Sequence, residues 1–339
     1  MTGRDDVAGG LAGHVPVLLD ETIKCLDPKP GEVFVDGTFG NGGYSRALLA
    51  TGASVVGIDR DPDAILEGRP LRDAAGGRLT LVRGRFGALD WIARGAGYEE
   101  LDGVVLDVGV SSMQLDRGER GFSLMRDGPL DMRMSQEGSN AADLVNTLPE
   151  KDLARLIGQL GEEKRAGRVS RAIGTARAKQ PIQRTKQLAD IIEGALGRSA
   201  RDPIHPATRT FQALRIAVNQ ELQELADALG AAETMLRNGG RLVVVTFHSL
   251  EDRIVKRFLA ERSREHATGS RHLPAEPVAA PAFRLGTRGP VQPRDEERDS
   301  NPRSRSAKLR FATRTDAPAR PVDLADIGVP SLQSLRAVA

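Results

Sequence analysis

The chain has 339 residues, 40% of them hydrophobic and 28% charged, with a net charge of +2; these are the proportions of a soluble globular protein with room for two domains. No apolar run approaches the roughly 20 residues of a membrane span, and the single Cys25 excludes an intramolecular disulfide and a cysteine-based metal cluster. The charge is unevenly spread: residues 161–215 carry 12 Lys/Arg against 5 Asp/Glu, and residues 284–314 carry 9 against 4. Two basic segments in a near-neutral chain point to an anionic partner, nucleic acid first, although basic side chains also solvate exposed helices.

Residues 1–13 have no secretory apolar core and read as a flexible tail of a cytoplasmic protein. His14 to Leu26 gives an approach segment and a short helix, with His14 either a substrate contact or a packing histidine. Val33 to Asp36 is a short buried strand. Four glycines follow between Gly37 and Gly43, and Ser45 to Ala50 starts a helix. Strand, glycine turn and helix together bring backbone N–H groups close to a small-molecule cofactor. Residues 54–59 form a second strand ending in Asp59, 19 residues after Gly40, where an acid usually meets ribose hydroxyls.

Three readings of that unit compete. The dinucleotide pattern Gly-x-Gly-x-x-Gly is incomplete, because Ser45 stands at the third glycine. Asp36 at the end of the first strand suits a cofactor with no phosphate and a cationic end, such as S-adenosylmethionine (SAM). An ordinary glycine turn with two capping acids is the third reading.

Residues 78–82 form a third strand, and Phe86 just beyond it is either an adenine-stacking ring or core. Residues 101–107 form a fourth, ending in Asp107 and followed by Ser111, Ser112, Gln114 and Asp116. The alternation then stops. Residues 116–216 read as short amphipathic helices, an inserted all-helical domain. A long helix is expected from Phe211 to Arg237, closed by Asn238-Gly239-Gly240. Residues 241–246 restore the parallel sheet, and Ser249 with Asp252 fits a capping box, leaving His248 at the crevice edge. Strand candidates 283–287 and 307–313 flank an Arg- and Pro-rich loop, 288–306, expected to hang over the crevice and order on RNA. Residues 315–339 read as a second flexible tail. The fold expected is α/β, a Rossmann-like sheet in two pieces, 14–115 and 217–314, around the helical insertion.

Six ordered motifs carry a resemblance. They are His14-Val-Pro-Val-Leu-Leu, Asp36-Gly-Thr-Phe-Gly-Asn-Gly-Gly, Gly57-Ile-Asp59-Arg-Asp61-Pro62, Asp107-Val-Gly-Val-Ser-Ser-x-Gln114-Leu-Asp116, Thr246-Phe-His-Ser-Leu-Glu-Asp-Arg253 and Asn301-Pro-Arg-Ser-Arg-Ser-Ala-Lys-Leu-Arg310. Over residues 14–314 the chain closely resembles the bacterial 16S rRNA (cytosine-N4)-methyltransferase family, RsmH or MraW. The resemblance implies that the sheet is that of a class I SAM-dependent methyltransferase, with SAM as cofactor and a cytidine in the decoding region of 16S rRNA as substrate, within the assembled small subunit. A homodimer is compatible with it, and no metal or membrane is implied. The family's cofactor contacts fall on Gly42, Gly43, Tyr44, Asp59, Phe86, Asp107 and Gln114. Tyr44 departs from the family's usual histidine.

Cytosine N4 is a weak nucleophile, so the protein must align it and accept its N–H hydrogens. Asp107 and the carbonyls around Val108 to Val110 are the candidates for that. His248 is a candidate for taking the released proton, or else a structural histidine. Arg165, Arg168 and Arg171 in the helical insertion, and Arg303 and Arg305 in the basic loop, are the candidate RNA contacts.

Overall fold

The computed structural model describes residues 16–198, 204–265 and 279–331. His14 lies outside them. Helix α1 (Leu19–Leu26) leads into β1 (Val33–Asp36), α2 (Gly43–Ala50), β2 (Ser54–Asp59), α3 (Pro62–Glu67), α4 (Arg69–Ala74), β3 (Leu79–Arg83), α5 (Leu89–Gly95) and β4 (Leu101–Asp107). These strands are continuous apolar runs, as expected of strands covered on both faces. A stretch without named strands follows, with α6 (Ser112–Asp116), α7 (Ala141–Thr147), α8 (Glu150–Leu160), α9 (Ala166–Arg177), α10 (Thr185–Leu196) and α11 (Thr208–Asn219). The chain returns through α12 (Glu221–Met235) to β5 (Leu236–Thr246), α13 (Ser249–Arg262), β6 (Phe283–Leu285), α14 (Asp295–Ser300), β7 (Lys308–Arg314) and α15 (Leu324–Ile327).

One seven-stranded sheet results, in the order β3-β2-β1-β4-β5-β7-β6. The pairs among β1 to β5 are parallel, and β7 runs antiparallel to both β5 and β6. This is the Rossmann-like α/β sheet expected from the sequence, and the order reverses at β1/β4, the switch point where ligands bind in open α/β sheets. A buried cluster runs from Val35 and Leu106 under the sheet through Leu156, Ile173 and Leu214 to Phe258. The helices between β4 and β5 therefore share the core of the sheet layer. No helix among the described residues is long and apolar enough to cross a membrane.

Four local expectations change. The long helix is broken into α11 and α12 at Gln220, which takes the left-handed conformation (φ 55°). The break frees the Asn219 carbonyl to accept from Arg60 Nη1 at 2.7 Å, while the Asn219 amide donates to the Met132 carbonyl at 2.7 Å. The cap of α13 is His248 rather than Ser249: the Glu251 carboxylate accepts from the Phe247 and His248 N–H groups, and Ser249 Oγ donates to Glu162 instead. The basic loop is not structureless. It forms α14 and a 3₁₀ turn at Pro302–Ser306, anchored where Glu297 Oε1 accepts from the Leu18 N–H at 2.8 Å.

The fourth change concerns the expected tail. Residues 315–331 lie against α12 and α13, with Ile327 buried. Arg262 fixes them: its Nε donates to Glu233 at 2.7 Å and its Nη2 to the carbonyls of Arg320 and Pro321 at 3.0 and 2.8 Å. Both side chains of this pair are almost fully buried, at 3% and 0% exposure. Removing one partner leaves a buried charge uncompensated, so Glu233→Ala should lower the unfolding free energy by about 3–5 kcal/mol in urea titration. A change below about 1 kcal/mol would mean the pair is not buried in solution.

Candidate active site

A narrow crevice of about 160 Å³ opens at the C-terminal ends of β1, β2 and β4, lined among others by Gly40, Gly43, Tyr44, Asp59, Phe86, Asp107, Gln114 and Arg303. It shares Pro16 and Arg303 with a wider open cleft of about 880 Å³. The structure thus brings together most of the cofactor residues named from sequence. Gly42 adjoins them as the N-cap of α2, at φ 71°. A Cβ there would lie 2.7 Å from the Phe39 ring, and one on Gly43 would lie 2.1 Å from Pro16, so neither position has room for a side chain.

Each acid has a different setting. Asp36 is fully buried; its Oδ2 accepts from Ser45 Oγ at 2.6 Å and from the Ser45 N–H at 3.1 Å. It does not line the crevice, so it splices β1 to α2 and is not the group that would meet a cationic cofactor. Asp59 does line it, and each carboxylate oxygen accepts one backbone N–H at 2.8 Å, from Gly40 and from Asp61. Its carboxyl therefore shapes the glycine turn and still has acceptor capacity on both oxygens. Asp107 stands opposite on β4. Its N–H donates to Thr38 Oγ1 at 2.7 Å, and its Oδ1 is buried with no hydrogen-bond partner among the described residues.

Burial pushes the Asp36 carboxyl up to about 6, partly offset by the Ser45 hydroxyl. It pushes Asp59 to about 6 as well, offset by the Asp61 and Gly40 N–H groups. Asp107 rises furthest, to about 8, first through burial and then through the charges of Asp36 and Glu251. Asp59 and Asp107 keep part of their surface open toward the crevice, so a ligand there would meet them directly.

The remaining candidates divide. The Tyr44 ring is buried and its hydroxyl donates to the Val17 carbonyl, which leaves its main chain for the crevice. Gln114 closes a capping box with Ser111 and donates from Nε2 to Asp61 Oδ2 at 2.9 Å. Half-buried Phe86 lines the crevice and packs against the core, while its N–H donates to Glu224 at 3.0 Å. Asp61, the acid before Pro62 that caps α3, also accepts from Arg120 at 2.8 Å; its place between Gln114 and Arg120 is not legible from the motif that carries it.

His248 is not among the crevice residues. Its Nδ1 accepts the Glu251 N–H at 3.4 Å, and its Nε2 lies 2.8 Å from Glu251 Oε1, without the alignment of a hydrogen bond. Burial would raise the Glu251 carboxyl, but His248, Arg215 and the Phe247 N–H together hold it below its usual range. Glu221, His248 and Glu251 place ligand-type atoms within 4.8 Å of one another. Arg215 donates to both Glu221 oxygens at 2.9 Å, so a guanidinium already balances that cluster. Arg303 is not a free cation: it donates to Asp116 Oδ1 at 2.9 Å across the crevice mouth, while Arg305 is exposed. Arg165, Arg168 and Arg171 belong to α9 and its N-cap, away from the crevice lining. Arg165 donates to the Leu196 carbonyl, and Arg171 lies 3.9 Å from Glu150.

Residues 11–315 match the family model described as the MraW methylase family. The chain is 57% identical over 333 residues to the ribosomal RNA small subunit methyltransferase H of Mesorhizobium japonicum, covering 98% of this chain and 96% of that protein. It is 58% identical over 320 residues to the protein of the same name from Azorhizobium caulinodans, covering 94% and 92%.

The raised carboxyls have a consequence for stability. An acid whose folded-state pKa is raised stabilises the fold while protonated. That contribution is complete below the ordinary value of 3.8 and is lost as pH rises through about 6 for Asp36 and Asp59 and about 8 for Asp107. Unfolding free energy should therefore fall between about pH 4 and pH 8. Asp107→Asn should flatten the upper part of that fall and give its largest stabilisation above pH 8, read from urea titrations across the range. An unchanged slope in the variant would show that Asp107 is solvated in the protein without ligand.

Proposed function

We propose a reaction from one premise: this chain belongs to the MraW methylase family. It is a SAM-dependent methyltransferase of small-subunit ribosomal RNA, and we assign it the N4 amine of a cytidine in the decoding region of 16S rRNA. The single observation that carries the site is Asp107, whose Oδ1 is buried with no hydrogen-bond partner among the described residues, beside a glycine turn with no room for a side chain at Gly42 or Gly43. Such a group is costly to ionise in the protein alone and is relieved by a cation.

The residues present fit SAM. The Gly42 and Gly43 backbone would approach its carboxylate end, Asp59 would take the ribose hydroxyls and Phe86 would face the adenine. Asp107 would lie toward the sulfonium end, and Gln114 would hold the loop after β4 in place. When bound, SAM supplies a methyl carbon made electrophilic by its sulfonium. Everything else falls to the protein. The carbonyls of Val108 to Val110 and the Asp107 carboxylate would accept the N4–H hydrogens, which returns electron density to the amine and aligns it. The released proton would pass to Asp107 or to solvent at the mouth. His248 acts at a distance, as the cap that fixes the Thr246–Phe247 turn. A ligand of this size needs about 300 Å³ or more, so it would extend from the crevice into the mouth and Arg303 would have to swing aside.

We infer that the helices between 116 and 216 form an RNA-binding lobe, with exposed Arg168 and Arg171 as contacts. Arg305 supplies a free guanidinium on the loop side. The assembled small subunit is the substrate this arrangement suits, since a basic face on each side of the crevice would grip structured RNA.

The test is tritiated-methyl transfer from SAM to bare 16S rRNA and to small subunits, followed by nucleoside analysis. N4-methylcytidine is expected, with subunits the better acceptor. In the same preparation Asp59→Ala should weaken SAM binding tenfold to a hundredfold, about 1.5–3 kcal/mol by calorimetry. A methyl group on carbon 5 or on ribose, or undiminished SAM binding, would overturn the assignment.

A further inference from the structure

Residues 118–128 form a closed loop beside the crevice mouth. Its two ends touch: a Cβ on Gly128 would lie 1.8 Å from the Gly118 carbonyl oxygen, so that position must be glycine. The base is pinned to α10, where Thr185 Oγ1 accepts the Gly128 N–H at 3.1 Å, the Thr185 N–H donates to the Gly128 carbonyl at 2.9 Å and Asp127 accepts from Arg184 at 2.8 Å. On the inner side Phe122 is buried and Leu124 packs against the core. At the tip Ser123 Oγ accepts the N–H groups of both Met125 and Arg126, at 3.1 and 3.2 Å. That fixed turn holds Met125 outward at 90% exposure. The next residue, Arg126, lies 3.9 Å from Asp116 Oδ1, the same oxygen that accepts from Arg303 at the crevice.

A large apolar side chain held outward by a hydrogen-bonded turn, among arginines, is suited to an apolar surface that arrives with an anion. Nucleic acid supplies both, in its base faces and its phosphates. We propose that Met125 is a wedge that enters the base stack and fills the place left by the cytosine when it turns into the crevice. The inference rests on the methyltransferase reading above. A stacked base cannot enter an enclosed site, and apolar side chains inserted between bases are a recurrent means of holding a stack open. Arg126 and Arg303 would hold the flanking phosphates once Asp116 releases them.

The experiment uses the full chain and assembled small subunits, with single-turnover methyl transfer at saturating subunit. Met125→Ala and Met125→Gln should each slow transfer about tenfold or more, because both leave the stack free to close. Met125→Leu should restore transfer to within about threefold of wild type, because apolar bulk is what the wedge needs. SAM affinity, subunit affinity and thermal midpoint should stay essentially unchanged, as expected of an exposed side chain outside the crevice lining. A wild-type rate in Met125→Ala overturns the wedge. So does a Leu variant as slow as Ala, or a loss confined to subunit affinity, which would make Met125 a plain contact. If wild type itself transfers no methyl group, the function reading fails and the wedge falls with it.

Discussion

The architecture turns on carboxyl groups gathered at one sheet edge with little access to water. Asp36, Asp59 and Asp107 end three strands of one parallel sheet, and the parallel register brings those ends to one edge. Each carboxyl is pushed above its ordinary pKa by burial, with Asp36 fully enclosed and Asp59 and Asp107 still open in part toward the crevice. Two are given partners by the backbone and by Ser45. The third, Asp107, has an oxygen with none among the described residues. An acid in that state is a standing cost in the protein alone, and a cation that removes the cost binds by doing so. The glycine turn, the Asp59 contacts to Gly40 and Asp61, and the Gln114–Asp61–Arg120 chain hold the walls of that edge fixed.

Around this edge the chain builds two overhangs from opposite sides. One is α14 with its 3₁₀ turn, carrying Arg303. The other is the 118–128 loop, with Asp116 just before it. The Arg303–Asp116 pair joins them across the mouth, and both partners are partly exposed, at 39% and 53%. Surface pairs of this kind are worth little, about 0–1 kcal/mol. The closure is therefore weak enough for a ligand or an RNA phosphate to replace it, in contrast to the buried Arg262–Glu233 pair, which holds the C-terminal segment permanently.

The strands were legible in the sequence because each is an apolar run bounded by glycine or an acid. Residues 33–36, 54–59 and 101–107 appear where the pattern put them. The acid at Asp59 was legible from its distance to the glycine turn. Asp36 was misread because the same pattern does not say whether a strand-end acid faces the crevice or the following helix; Ser45 decides that. His248 lost its place at the crevice by one residue of capping register, a margin within which Ser249 and His248 look alike. The helix α14, six residues of Asp, Glu, Arg and Ser, has no apolar periodicity to read. Its anchor is Leu18, 279 residues away from Glu297. Long-range partners of this kind, and the burial that raises Asp107, exist only once the chain is folded.

The claim that most of this depends on is that Asp107 takes up positive charge from the cofactor. Calorimetric titration at pH 7 with SAM and with S-adenosylhomocysteine, in two buffers of different ionisation enthalpy, counts the protons exchanged on binding. The two ligands differ in the charge on sulfur. With a carboxyl near 8 in the free protein, SAM binding should release a proton count approaching one, while the neutral thioether should release far less. Equal proton release with both ligands would contradict the account.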